Sequence, residues 1–287
     1  MQLEQIAVIG AGVMGTGVAQ SLATAGFAVI VVDNAAPALA HCQGQLQRQI
    51  RFAGMFAAKA DKPAGPAFDA AALRRITWTG RLADVADADL VVENVTEKWS
   101  IKEPVFRELG RVCRPTCVIA SNTSAISVTR SASVMPHPER VCGMHFMNPV
   151  PLISAVEVIR GTHTSGETIQ LAMTLLARMG KTGVVVNDAP GFVSNRVLML
   201  TVNEAIWLIH DGVSTPPDVD KIFRDCMGHR MGPLATADLI GLDTILYSLE
   251  ALQDQFGDPK FRPCPLLRRM VDAGKLGAKT GEGFYHH

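Results

Sequence analysis

No stretch of this chain approaches the roughly 18 uninterrupted apolar residues that a membrane span needs, although 48% of its 287 residues are hydrophobic. Charge of either sign is not in excess: Lys+Arg and Asp+Glu number 27 each, and the formal net charge is zero. There is no basic stripe to meet nucleic acid and no acidic tail to keep a segment disordered. No charged-then-apolar leader opens the chain, because a strand-like run begins almost at once, so a cytoplasmic protein is expected. Cysteine is present but unpatterned. Cys42, Cys113, Cys117, Cys142, Cys226 and Cys264 form no CxxC pair and no ligand-like spacing with histidine. They read as reduced thiols, mostly small buried hydrophobes. Cys113 and Cys117 are the nearest pair, but Pro115 between them and a strand opening at Cys117 speak against a metal site. No metal is expected. Internal repeats and low-complexity segments are also missing.

What is present begins at the amino terminus. The run Ile6 to Ile9 leads into Gly10-Ala11-Gly12-Val13-Met14-Gly15, then into an apolar helical pattern from Gly17 to Ala25. A second apolar run, Phe27 to Val32, ends on Asp33. Strand, glycine turn, helix, strand and acid in that order make a dinucleotide-binding fingerprint far more specific than the glycines alone. Gly10 permits the tight turn, Gly12 lets backbone approach a pyrophosphate, and Gly15 lets the helix pack closely on the strand. With Val13 and Met14 opening the helix, the N–H groups of its first turn face the anion. Asp33 lies where a carboxylate accepts the hydroxyls of an adenosine ribose and repels a 2′-phosphate. No Arg or Lys follows before Arg48, which favours NAD over NADP.

The length suits one large or two modest domains. Strand-like runs at 5–10, 27–33, 88–95, 117–121, 140–145, 154–159 and 183–187 alternate with helical patterns, which predicts an α/β fold with a doubly wound Rossmann-type parallel sheet. A helix is expected from Ala36 to about Phe56. The stretch Ala57 to Asp69, with Lys59, Lys62, Pro63, Gly65 and Pro66, reads as a loop protruding near the ligand. After Asn187-Asp188-Ala189-Pro190-Gly191 only helical periodicity remains, at 194–211, 218–227, 235–256 and 265–273. The expected organisation is a Rossmann domain over 1–187 and an all-helical domain over 188–287. The broad apolar arc of 194–211 asks for burial against a partner.

In open α/β sheets, ligands lie beyond the carboxyl ends of the strands. One such end runs into Ser121-Asn122-Thr123-Ser124, another into Met144-His145-Phe146-Met147-Asn148-Pro149. His145 is the candidate base, since an imidazole titrates near neutrality. Glu157, an acid inside an otherwise apolar strand, needs a donor or cation beside it. Pairing the two satisfies both needs, while a hydrogen-bonded structural histidine remains the alternative that spacing leaves open.

With these motifs the chain resembles the 3-hydroxyacyl-CoA dehydrogenases, in particular the single-function bacterial 3-hydroxybutyryl-CoA type. The resemblance runs the whole length, through Val92-Glu93-Asn94-Val95-Thr96-Glu97, Ser121 to Ser124, Gly143 to Pro149 and Pro190 to Arg196. It continues at Asp238 to Asp243 and at Lys279 to Tyr285. It implies that His145, supported by Glu157, takes the proton of the 3-hydroxyl while hydride leaves C3 for NAD, which sets flavin aside. It also implies that Ser124 and Asn195 touch substrate and that Glu97, Lys102 and Asn122 line the cofactor. Read from the residues alone, Ser124 could equally cap a helix, Asn195 bond across a domain interface, and Lys102 stand in solvent. A homodimer through the helical domain follows from the same resemblance.

Departures from the family pattern leave the base, its partner and the dinucleotide turn intact. Met147 stands where Phe is common, Ser154 where Lys is usual, and Met227 to Pro233 departs from Asn-His-Pro-Met-Gly-Pro. The 57–69 stretch lacks the charged helical hairpin that reaches toward CoA. These changes admit an acyl carrier protein as thioester carrier, as in polyketide extender-unit pathways that oxidise glyceryl-ACP. A non-catalytic dinucleotide binder has no use for His145, Glu157, Ser124 and Asn195 together. A hydroxyacid dehydrogenase with a catalytic Lys fails because the segment holding Asn195, Arg196 and Asn203 carries none.

Overall fold

The protein's structure, a computed structural model, describes residues 3–56 and 68–287. The expected loop from Ala57 therefore lies outside the described residues except at its last two positions. The chain divides into two compact units, Met1–Asp188 and Ala189–His287.

The first unit contains strands β1 (Gln5–Ile9), β2 (Ala28–Val32), β3 (Ile76–Thr79), β4 (Leu90–Glu93), β5 (Val118–Ser121), β6 (Val141–Phe146), β7 (Ala155–Arg160) and β8 (Thr182–Asn187). They make one sheet in the order β3-β2-β1-β4-β5-β6-β7-β8. Helix α1 (Val13–Thr24) packs on β1 and β2, and α6 (Gly166–Arg178) packs on β7 and β8. Between them in sequence lie α2 (Ala36–Phe56), α3 (Ala70–Leu73), α4 (Trp99–Val112) and α5 (Val128–Ala132). Central strands are covered on both faces, as the continuous Val/Ile runs require: Ile6, Ala7, Val8, Leu90, Val91 and Val92 have no exposed surface.

Two features of the sheet correct the expectation. β3 was not foreseen: Ile-Thr-Trp-Thr is short, polar at alternate positions, and pairs on one side only, with β2. β7 runs antiparallel to β6, with His145 opposite Glu157 in the register, and β8 is parallel to β7. The connection 147–154 is too short for the crossover a parallel neighbour needs. That reversal sets the two residues directly across one strand pair.

β1 has β2 on one side and β4 on the other, both parallel. The chain winds outward in both directions from this point, so a crevice opens beyond the carboxyl ends of β1 and β4. A cleft of about 830 Å³ lies there, with Gly10, Gly12, Asp33, Asn94 and Thr96 in its lining.

The second unit is helical: α7 (Ser194–His210), α8 (Pro216–Asp225), α9 (Pro233–Ile240), α10 (Leu242–Phe256) and α11 (Pro265–Asp272). The single helix expected over 235–256 is two. Gly241, at φ +104°, ends α9 and turns the chain into α10. Val202, Ile206, Leu234, Ile245, Leu249, Phe261 and Leu267 form its core. Buried Asp220 and Asp238 bind the final motif: Asp220 accepts from the Tyr285 hydroxyl at 2.8 Å, Asp238 from the N–H groups of Phe284 and Tyr285 at 3.0 and 2.9 Å. No helix among the described residues is long and apolar enough to cross a membrane.

Candidate active site

The glycine turn is built by exclusion of side chains. Gly10 sits at φ +97°, and a Cβ there would come within 2.8 Å of the Asn94 carbonyl oxygen. A Cβ on Gly15 would lie 1.8 Å from the Gly10 carbonyl oxygen. Gly12 differs: a Cβ on it would meet nothing within 4 Å, and the residue lines the cleft. No side chain caps α1 at Gly12, so the first-turn N–H groups keep their donor capacity for an anion. Val13 is 69% exposed, while Met14 packs against the core. Asp33 has a second task besides lining the cleft. Its Oδ2 accepts the Ala11 N–H at 2.8 Å and its Oδ1 the Ala35 N–H at 2.9 Å, so it pins the glycine turn to the end of β2. A side-chain-free turn, an uncapped helix and a carboxylate around one cleft fit a dinucleotide. Arg81, far from Asp33 in sequence, is brought by β3 to the same cleft. Its guanidinium is engaged by Asp84 at 2.5 Å.

The far wall of the cleft is stiffened by a buried ion cluster. Lys102 and Glu93 have no exposed side-chain surface, and the Lys102 Nζ lies 2.8 Å from both Glu93 carboxylate oxygens and 3.5 Å from Glu97 Oε2. Lys102 is thus neither a solvated helix residue nor open to the cleft surface. It shares the inner face of α4 with Phe106 and Leu109. Burial pushes the Glu93 carboxyl up, against Lys102, the Ser121 hydroxyl and the Val95 N–H. Glu97 is shifted the other way. Burial opposes its charge, but the Lys102 ammonium, the Thr123 hydroxyl and the Ala125 and Ile126 N–H groups outweigh that and hold its carboxyl below the usual range. Its Oε1 also accepts the Ser124 N–H at 2.9 Å. Glu97 therefore gathers the backbone that carries Ser124.

Because Glu97 is more acidic folded than unfolded, its ionisation stabilises the fold at all pH above the ordinary carboxylate range. That contribution drains away as pH falls from the unfolded value, about 4.3, toward the lower folded one. Glu97→Gln should accordingly flatten the acid limb of a thermal-midpoint-against-pH curve. Acid limbs of equal slope in the two proteins would discount the Glu97 cluster as a source of stability.

At the carboxyl end of β6 the side chains form a relay. His145 Nδ1 is 2.8 Å from Glu157 Oε2, and His145 Nε2 is 3.0 Å from Ser124 Oγ. His145 is 4% and Glu157 9% exposed. An ionised carboxylate only accepts, so with Glu157 ionised Nδ1 would carry the proton and Nε2 would offer its lone pair toward Ser124. Asn122 ties neighbouring strand ends together: its Oδ1 accepts the Phe146 N–H at 3.1 Å, and its Nδ2 donates to Asn94 Oδ1 at 2.8 Å. Ser124 caps no helix; Ser127 caps α5. Asn195 lies in the first turn of α7, in the second unit. Among the described residues no group of three or more His, Cys, Asp or Glu could hold a metal ion.

Residues 5–189 match the NAD binding domain of 3-hydroxyacyl-CoA dehydrogenase, and residues 191–287 match that family's C-terminal domain. The chain belongs to the 3-hydroxyacyl-CoA dehydrogenase family. It is an oxidoreductase acting on a CH–OH group with NAD. It is 46% identical to a probable 3-hydroxybutyryl-CoA dehydrogenase of Bacillus subtilis, over 100% of this chain and 98% of that one. Identity to the 3-hydroxybutyryl-CoA dehydrogenase of Bradyrhizobium diazoefficiens is 42%, over 99% and 96% of the two chains. The crystal structure of (S)-3-hydroxybutyryl-CoA dehydrogenase from Ralstonia eutropha superposes with a TM-score of 0.92 at 37% identity, covering 100% of this chain and 99% of that one.

Two supporting residues of this dehydrogenase were not foreseen. Glu93 is the buried counter-charge of Lys102. Lys181, 9% exposed, donates from Nζ to the Val150 and Ile153 carbonyls at 2.6 and 2.7 Å, and burial pulls its ammonium below the usual lysine range. It fastens the turn between β6 and β7, just ahead of Ser154. A lysine just ahead of β8 gives no motif signal; only the burial of its head group marks it.

Proposed function

We propose that this chain oxidises the 3-hydroxyl of a short-chain 3-hydroxyacyl-CoA of the 3-hydroxybutyryl type to the 3-oxoacyl thioester, with His145 as general base and Glu157 as its support. The observation that carries this reading is the buried relay Ser124–His145–Glu157. The names of the full-length relatives supply the substrate class. Glycine turn, α1 amino terminus and Asp33 would hold NAD; bound there, its nicotinamide supplies the hydride acceptor. Glu157 fixes the tautomer that leaves Nε2 unprotonated and stabilises the imidazolium that follows. Nε2 takes the proton of the 3-hydroxyl, and in reverse the imidazolium returns it. The Ser124 hydroxyl, whose N–H is held by Glu97, shares Nε2 and would orient the substrate oxygen. The resemblance to the family adds Asn195 to the residues touching substrate, and Glu97, Lys102 and Asn122 to those shaping the cofactor side.

A hydroxyacyl-ACP such as glyceryl-ACP is the second reading. It is favoured by the turn after β6, where Ser154 replaces Lys and Leu152 stands 78% exposed, a surface without the cation the family commonly places there. Following NADH absorbance with 3-hydroxybutyryl-CoA and with glyceryl-ACP separates the two. Faster turnover of the CoA ester is expected; faster turnover of the ACP ester would overturn the CoA assignment.

We also read the enzyme as a cytoplasmic homodimer joined through the helical unit. Val197, Leu239 and Tyr247 there are 59%, 63% and 52% exposed, a large apolar outlay for a surface facing only water. Light scattering should return twice the 30.8 kDa chain mass; a monomer at micromolar concentration contradicts the dimer.

A further inference from the structure

Cys42, Cys142 and Cys264 have no exposed surface, and Cys226 stands alone at the end of α8. Cys113 and Cys117 differ from these. Cys113 is the last residue of α4's hydrogen-bonded run, its N–H donating to the Leu109 carbonyl at 2.9 Å before the backbone turns extended. The Cys117 N–H donates to the Arg114 carbonyl at 2.9 Å and closes a turn that folds the chain back into β5. The Cys113 Sγ lies 3.9 Å from the Val85 carbonyl oxygen and the Cys117 Sγ 3.6 Å from its neighbour Val118's, so the turn brings two thiols four residues apart to one end of the sheet. Arg114 anchors it through an ion pair with Asp89, which in turn accepts the Glu4 and Gln5 N–H groups. Cys113 is half-buried and Cys117 buried.

Both cysteines line a cavity of about 10 Å³ at the end of α4, which Pro136 and Arg140 also line. That space suits one water-sized molecule. Arg140, a residue of the same lining, has a buried Nη1 without a hydrogen-bond partner. We propose that Cys113 and Cys117 form a reversible dithiol–disulfide site, oxidised by a hydroperoxide and restored by a small-molecule thiol. The turn and the shared cavity are the structural reason. The interaction with Cys117 draws the Cys113 thiol below its usual range against the effect of burial, while the same interaction, and then burial, push Cys117 up. The more accessible sulfur is thus the more acidic of the two, the one that reacts through its thiolate form, and its neighbour holds its proton more tightly.

The Cys113 thiolate attacks one peroxide oxygen; an S–O bond forms, the O–O bond breaks, and the departing oxygen leaves as water or alcohol after taking a proton. The Cys117 sulfur then displaces the sulfenic hydroxyl. An S–S bond forms, the S–O bond breaks, and the Cys117 proton departs with that hydroxyl as water. Two electrons pass from the sulfur pair to the peroxide. The product tethers the end of α4 to the start of β5.

The test uses the reduced, full-length protein with dilute hydrogen peroxide, then alkylation under denaturing conditions, tryptic digestion and mass spectrometry. Trypsin cuts after Arg111 but not between Arg114 and Pro115, so both cysteines fall on the peptide Val112–Arg130. That peptide should lose two hydrogens and take no label, roughly tenfold faster than exposed Cys226 is modified, and dithiothreitol should reverse the change. In Cys117→Ser, Cys113 should stop at the sulfenic acid and be trapped by dimedone. In Cys113→Ser, Cys117 should remain alkylated. Oxidation of Cys226 ahead of a doubly labelled Val112–Arg130 peptide in the wild-type protein overturns the proposal, and that readout needs no variant to fold.

Discussion

Replacing His145 by Gln should lower kcat about 10³-fold, whereas the dissociation constant for NADH should stay within a factor of about two. Gln approximates the imidazole in size and can still bond Glu157 and Ser124, but it takes no proton at neutral pH. The dinucleotide cleft is lined by residues of β1, β2 and β4 and the segments after them, and His145 is not among them, which is why binding and turnover should part. Glu157→Gln should cost less, because the imidazole stays but an amide N–H now faces Nδ1 and favours the wrong tautomer. The double variant should be no slower than His145→Gln alone if, as proposed, both residues serve one proton transfer. A loss of kcat under tenfold in His145→Gln, or equal losses of turnover and NADH binding, would count against the relay.

Lys102→Met should lower the thermal midpoint by about 10 °C. Breaking a buried pair by removing one partner costs about 3–5 kcal/mol, and each kcal/mol moves the midpoint of a domain this size by about 2–4 °C. The cost arises at Glu93, which with no exposed side-chain surface would keep a carboxylate without its cation. A neutral Gln at position 93 can still accept from the Ser121 hydroxyl and the Val95 N–H, so Glu93→Gln with Lys102→Met should recover part of the loss. A Lys102→Met midpoint within about 2 °C of wild type, or a double variant as unstable as the sum of the two single ones, would contradict the buried-charge account. The same substitution should loosen Ser124, since Lys102 also steadies Glu97, on which the Ser124 to Ile126 N–H groups converge.

What was legible in the sequence was local. Gly10, Gly12, Gly15 and Asp33 announce the turn because each answers a steric or electrostatic demand within a single βαβ unit. His145 and Glu157 could be paired as a polar residue at a strand end and an acid in an apolar strand. Their direct opposition depends on β7 being antiparallel, which the short connection 147–154 encodes and which an all-parallel reading passed over. β3 was missed because Ile76-Thr77-Trp78-Thr79 is brief and half-polar, though its β-branched and aromatic residues were a signal. The break at Gly241 was hidden by apolar periodicity continuing through it on both sides. Lys102 shows the limit most clearly. Its spacing of four and seven residues from Phe106 and Leu109 puts it on the inner face of α4, yet a lysine is ordinarily assigned to solvent. Only the distant Glu93 explains its burial. Arg81 and Lys181 reach their places through tertiary structure alone and leave no motif behind.

The most direct measurement is a crystal structure of the enzyme with NADH and acetoacetyl-CoA. The relay predicts the C3 oxygen within about 3.2 Å of His145 Nε2, with Glu157 still on Nδ1. A C3 oxygen bound elsewhere, with His145 turned from it, would contradict the assignment of His145 as the base.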